Sequence, residues 1–123
     1  NLLAVSAALR RVEIAQRHFR EVLIHAVEGD LVYFDPPYWP VSATSNFTSY
    51  AKESFTRDDQ EELAAVFGEL KRRGVRAFLS NSDTPLIRTL YRDFTVEIVH
   101  ASRNVNSKGD ARGKVREVLV RSF

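Results

Sequence analysis

The chain has 123 residues, enough for one domain with a real core but few for a complete enzyme acting on two substrates. Its composition, 44% hydrophobic and 28% charged, is that of an ordinary globular protein, with no apolar run of membrane-spanning length and no signal-peptide pattern, so no membrane association and a cytoplasmic location are expected. The lack of cysteine excludes disulfides and thiolate metal sites, and His18, His25 and His100 have no ligand spacing, so no metal is expected.

The formal net charge is +2 and unevenly spread. Between Arg103 and Arg121 the basic residues Arg103, Lys108, Arg112, Lys114, Arg116 and Arg121 outnumber Asp110 and Glu117. A local basic excess suits a polyanion, and it equally suits a solvated Arg-rich surface. A chain that opens Asn1-Leu2-Leu3 and contains no methionine is expected to be a piece of something longer.

In chain order, Leu2 to Leu9 predicts a short helix, and Arg11 to Ala15, where Val12 and Ile14 alternate with polar residues, predicts a short strand. Phe19, Val22, Leu23, Ala26 and Val27 recur at helical spacing, with Gly29 as a stop. Leu31 to Phe34, apolar on both faces, predicts a strand in the middle of a parallel sheet. Residues 39 to 55 read as a long polar and aromatic loop, a kind that is usually functional in a compact domain. Thr56 and Asp59 resemble a capping box ahead of a helix whose Leu63, Val66, Phe67 and Leu70 form one apolar stripe and whose end is marked by Gly74. Val75 to Leu79 predicts a second strand, followed by the polar run Ser80-Asn81-Ser82-Asp83-Thr84. Pro85 fits the first turn of a helix carrying Leu86, Ile87, Leu90 and Tyr91. Thr95 to Ala101 and Val115 to Val120 predict two more strands, able to pair as a hairpin.

This alternation predicts an α/β layered fold with a mostly parallel sheet and a C-terminal antiparallel hairpin. Ligands of such sheets sit beyond the carboxyl ends of the strands, where Asp35-Pro36-Pro37-Tyr38 and Ser80-Asn81-Ser82-Asp83 both fall. The first segment combines an acceptor, a stiff backbone and a flat ring, which are the means to hold a planar, amine-bearing ring and react at its nitrogen.

Asp35-Pro36-Pro37-Tyr38 at a strand end is similar to the catalytic motif of amino-directed, S-adenosylmethionine-dependent methyltransferases. The following Trp39-Pro40-Val41-Ser42-Ala43-Thr44, then Asn46-Phe47-Thr48 and Tyr50, resembles the loop of the Dam-type DNA adenine methyltransferases. Ser80-Asn81-Ser82-Asp83-Thr84 and the basic segment with Arg103, Asn106-Ser107 and Arg112 to Glu117 resemble that family's later motifs, so the likeness covers nearly the whole chain. The family's N-terminal glycine-rich turn, which holds the methyl donor, and its inserted DNA-reading helices have no counterpart here. The resemblance therefore implies that residues 1–123 are the C-terminal catalytic part of a Rossmann-like class I methyltransferase domain. Without the N-terminal portion of the same polypeptide, the chain is expected to bind the donor poorly and to be inactive alone.

The resemblance further implies methyl transfer from S-adenosylmethionine to the N6 amino group of an adenine flipped out of double-stranded DNA. Asp35 and the Pro36 carbonyl would accept from the amino group, and Tyr38 would stack on the base. Asp35 would also lie near the donor's amino-acid moiety, and His18 and Phe19 near its adenine. Pro37, Phe47, Tyr50, Ser80, Asn81, Arg103 and Arg112 are the expected contacts to the nucleic acid. Plainer roles stand beside these: aromatic anchoring of the loop for Phe47 and Tyr50, core packing for Phe19, helix capping for the Ser80 to Thr84 run, and a solvated hairpin for the basic residues. Two other functions also remain open, methylation of an RNA base or of cytosine, and a non-catalytic remnant that only binds DNA or a partner.

Overall fold

The computed structural model describes residues 2–41, 55–101 and 115–123. Phe47, Tyr50, Arg103 and Arg112 lie outside the described residues. In chain order the elements are α1 (Leu2–Leu9), a 3-10 turn (Phe19–Glu21), α2 (Val22–His25), β1 (Leu31–Phe34), α3 (Arg57–Arg72), β2 (Arg76–Ser82), α4 (Pro85–Leu90), β3 (Thr95–Ala101) and β4 (Val115–Arg121). No helix among the described residues is long and apolar enough to cross a membrane.

The strands form one four-stranded sheet in the order β1-β2-β4-β3. β1 runs parallel to β2, with Phe34 opposite Leu79, whereas β4 runs antiparallel to both β2 and β3. The sheet is therefore mixed, not mostly parallel. The C-terminal hairpin forms as expected, but its second strand turns inward and inserts between β2 and β3. The physical reason lies in β4 itself: Val118 and Val120 are buried and need cover from both sides, while β3 keeps Ile98 and Val99 exposed and can stand outermost.

Three further expectations are corrected. Among the described residues β1 is an edge strand, with Leu31 and Tyr33 exposed, rather than a central one. Arg11 to Ala15 forms no strand; Val12 and Ile14 are 54% and 77% exposed, and alternation alone cannot make a strand without a neighbour to bond. The apolar stripe from Phe19 to Val27 is split between the 3-10 turn and the single turn of α2, and Ala26 is already extended (ψ 131°). The Val27 N–H donates to Asp30 Oδ2 at 2.9 Å and Gly29 takes φ +94°, so the chain turns toward β1 early and leaves Val27 exposed.

β2 runs three residues further than its apolar run, because β4 supplies ladder partners: Leu119 for Ser80, Val118 for Asn81 and Glu117 for Ser82. Strand alternation then sorts the side chains. Phe34, Ala77, Leu79, Val118 and Val120 belong to the core, covered by the α3 stripe of Leu63, Val66, Phe67 and Leu70. The α3 N-terminus is closed by the expected box: Thr56 N–H donates to Asp59 Oδ2 at 2.7 Å, and Asp59 N–H donates to Thr56 Oγ1 at 3.2 Å.

Phe67 is the hub of this core. Its ring packs edge-on against Tyr91 (5.5 Å) and Phe94 (5.0 Å) and tilted against Phe34 (6.3 Å). Phe67→Ala is expected to lower the unfolding free energy by about 3–5 kcal/mol in a urea titration.

Candidate active site

β1 ends at Phe34, and Asp35-Pro36-Pro37-Tyr38 leaves the sheet at its C-terminal edge beside the last residues of β2. Continuing the register from Phe34 opposite Leu79 puts Asp35 beside Ser80. The Ser80 hydroxyl donates to Asp35 Oδ1 at 2.8 Å, and the Tyr33 hydroxyl donates to Ser80 Oγ at 3.0 Å. Ser80 is buried while Asp35 is exposed, so a hydroxyl fixed in the fold orients a carboxylate that faces outward. Among the described residues Asp35 Oδ2 has no hydrogen-bond partner.

Tyr38 is half-buried on the same side, where its hydroxyl donates to Glu117 Oε2 at 3.5 Å. Burial raises its pKa above the ordinary tyrosine value; the nearby Ser80 hydroxyl opposes this, and the charges of Glu117 and Asp35 add to it. The phenol is thus a stable neutral ring at the rim of the carboxylate.

Strand alternation sends Asn81 to the opposite face, where the contacts differ. Asn81 Oδ1 accepts from the Trp39 N–H and from its neighbour Ser82 N–H, each at 2.9 Å. Asn81 Nδ2 donates to Gln60 Oε1 at 3.1 Å, and Gln60 Nε2 donates to the Pro37 carbonyl at 3.0 Å. The adjacent Pro36 carbonyl has no hydrogen-bond partner among the described residues. Gln60 was not singled out from the sequence, although a signal existed: it stands in register with Leu63, Phe67 and Leu70, an amide on a buried apolar stripe.

A cleft of about 590 Å³ opens against Asp35, Pro36 and Pro37. Arg17, His18 and Phe19 form its far wall, with Phe55, Asp59 and Leu63 contributed by and just before α3. The Phe19 and Phe55 rings meet at 5.7 Å, and His18 lies over Phe19 at 4.4 Å. This wall is tied down by an Arg20–Glu62 ion pair to α3 and by Arg73 Nη1 donating to the Leu23 carbonyl at 2.7 Å.

The residues expected at the site divide accordingly. Asp35, Pro36, Pro37, His18 and Phe19 share the cleft; Tyr38 does not line it and faces β4 instead. Ser80 reaches Asp35, whereas Asn81 is fully buried with its amide turned into the fold, away from any surface that could meet a nucleic acid. Asp83 pairs with Arg88 (2.5 Å) and Arg116 (3.1 Å), and the Arg88 hydrogen bond holds its carboxyl below the usual range. Thr84 caps α4, its Oγ1 accepting from Ile87 N–H at 3.4 Å.

A family model for the D12 class of N6 adenine-specific DNA methyltransferases matches residues 1–105. A type II methyltransferase of Lactococcus lactis subsp. cremoris is 42% identical over 112 residues, which are 91% of this chain and 39% of that protein. A type II methyltransferase of Methanocaldococcus jannaschii is 40% identical over 125 residues, covering 100% of this chain and 43% of the relative. A DNA adenine methylase of Vibrio cholerae is 42% identical over 103 residues, 83% of this chain and 37% of the relative. The chain spans about two fifths of the length of these relatives.

In a spectrophotometric titration, read as the difference between the protein and its Tyr38→Phe variant, the Tyr38 phenol should ionise above the ordinary tyrosine value. Glu117→Gln should move that ionisation downward, because one of the charges opposing a phenolate is gone.

Proposed function

The chain belongs to the D12 class N6 adenine-specific DNA methyltransferase family, and on that premise we propose that it carries the catalytic edge of an enzyme that methylates the N6 amino group of a flipped adenine in DNA. The observation that carries the reading is the Asp35–Pro36 pair: a carboxylate oriented by Ser80 with one oxygen uncommitted among the described residues, next to a prolyl carbonyl that is likewise uncommitted among them. The double-stranded DNA substrate, S-adenosylmethionine as donor, a Rossmann-like class I domain completed by further chain, and a cytoplasmic setting belong to the same proposal.

The residues of the cleft fit such a donor. Phe19, Phe55 and Leu63 offer apolar walls to a purine, Asp35 offers a negative charge to an ammonium group, and about 590 Å³ suits a ligand of that size. When bound, S-adenosylmethionine supplies a methyl group on a positively charged sulfur. The remaining task falls to side chains of this protein. An adenine amino group is a poor nucleophile because its lone pair is delocalised into the ring. Asp35 Oδ2 and the Pro36 carbonyl can each accept one of its N–H bonds, which favours a pyramidal nitrogen and frees the lone pair. No strong base is needed, since the nitrogen becomes acidic only once alkylated, and the exposed Asp35 can then take the proton and pass it to water.

Tyr38 supplies the stacking surface for the extruded base on the β4 side of the carboxylate. Such stacking is worth about 1–3 kcal/mol and offsets part of the cost of unstacking the duplex. Its neutral phenol suits a ring that must approach a carboxylate without adding charge.

Methylation of DNA by the full-length polypeptide, followed with labelled donor, tests the reading. Asp35→Ala should lower turnover by at least about 100-fold while leaving the far-UV circular dichroism unchanged, because Asp35 is exposed; retained turnover would rule the mechanism out. Tyr38→Ala should reduce the rate by about 5- to 150-fold, the equivalent of one lost stack, and Tyr38→Phe or Tyr38→Trp by much less. Equal losses in all three would remove stacking from the account.

A further inference from the structure

We propose that Gln60 and Asn81 are positioning residues for the Asp35–Tyr38 turn, a buried amide pair that fixes the backbone of that turn from beneath; their catalytic consequence rests on the methyl-transfer reading above. Both side chains are 0% exposed. The turn itself has little to bond with: Pro36, Pro37 and Pro40 have no N–H, so between Pro36 and Pro40 only Tyr38 and Trp39 carry a backbone donor. A segment this poor in donors cannot anchor itself to the sheet by a ladder. The amide pair does it instead. Gln60 Nε2 holds the Pro37 carbonyl at 3.0 Å, Asn81 Oδ1 holds the Trp39 N–H at 2.9 Å, and the two amides brace each other at 3.1 Å.

The geometry has two chemical consequences. Tyr38 is suspended between two fixed backbone groups, the carbonyl before it and the N–H after it, so the direction in which its side chain leaves the backbone is set. Of two neighbouring prolyl carbonyls, Gln60 occupies that of Pro37, while that of Pro36 has no partner among the described residues. Gln60 thereby selects which carbonyl is presented to a substrate amine. Apolar residues of similar volume would fill the same space without holding either group.

The test uses Gln60→Met and Gln60→Glu in the full-length polypeptide. Methionine keeps the volume and loses both hydrogen bonds. Glutamate keeps both only when protonated, since a carboxylate has no hydrogen to give the Pro37 carbonyl, and burial favours the protonated form. Gln60→Met should lower kcat for DNA methylation by about 10- to 100-fold, as expected for displaced reacting groups, and change donor affinity by calorimetry less than about threefold. Gln60→Glu should recover toward the parent kcat as pH falls, at temperatures where the protein is fully folded, while Gln60→Met stays low at every pH. A merely structural role would track unfolding and would not recover with acid.

Hydrogen exchange at the Trp39 amide, read by mass spectrometry, reports on the turn without any need for activity. It should accelerate by at least about 10-fold in Gln60→Met while the amides of β2 keep their protection. Unchanged exchange, or faster exchange with kcat within about threefold of the parent, overturns the assignment. A parent protein that methylates no DNA would instead overturn the proposed function, and exchange at Trp39 would still decide whether the amide pair holds the turn. If Gln60→Met fails to fold, Gln60→Glu across the pH range decides alone, a kcat near the parent's at low pH supporting the role and a kcat that stays low at every pH overturning it.

Discussion

Ser80, Asn81 and Ser82 are three successive polar residues buried at the end of a central strand, and the site follows from how that burial is satisfied. A buried polar group left without a partner costs about 1–3 kcal/mol, so each side chain must find one. Alternation along β2 sends Ser80 and Asn81 to opposite faces of the sheet. On one face Ser80 meets Asp35 and Tyr33; on the other Asn81 meets Gln60 and the backbone of Trp39. One strand end therefore grips both the carboxylate and the backbone of the segment that carries it.

That double grip explains how a proline-rich turn, on a strand that is outermost among the described residues, can hold a defined shape. Prolines restrict the backbone but remove donors, so they stiffen the turn without attaching it. The attachment is supplied from β2 and from the first turn of α3, which is itself closed by the Thr56–Asp59 box. The order of dependence runs from helix cap to Gln60, from Gln60 to the Pro37 carbonyl, and from there to the direction of the Pro36 carbonyl.

The site also has two sides. The cleft toward Phe19 and Phe55 is walled by aromatic and apolar side chains with Asp35, Asp59 and Arg17 among its lining, while the Tyr38 side is bounded by Glu117 on β4. On the proposed reading the donor occupies the first and the target base meets the second, with Asp35 between them. The insertion of β4 next to β2 makes this possible, because it brings Glu117 level with Ser82 and in reach of Tyr38.

Local chemistry made much of this legible in the residues alone. The α3 cap and stripe, the strand that ends in Asp35-Pro36-Pro37-Tyr38, the capping of α4 by Thr84 and the hairpin partnership of β3 and β4 all depend on residues close in sequence, so their patterns survive without a fold around them. Only the tertiary structure decided which strand lies beside which, because the burial of Val118 and Val120 is satisfied by neighbours distant in the chain. It also decided that Arg11 to Ala15 is not a strand, that β2 continues through Ser82, and that Asn81 turns inward to meet Gln60. A hydrogen-bond partner for a buried amide is a matter of position in space: Gln60 and Asn81 are 21 residues apart and become a pair only when α3 lies across the sheet.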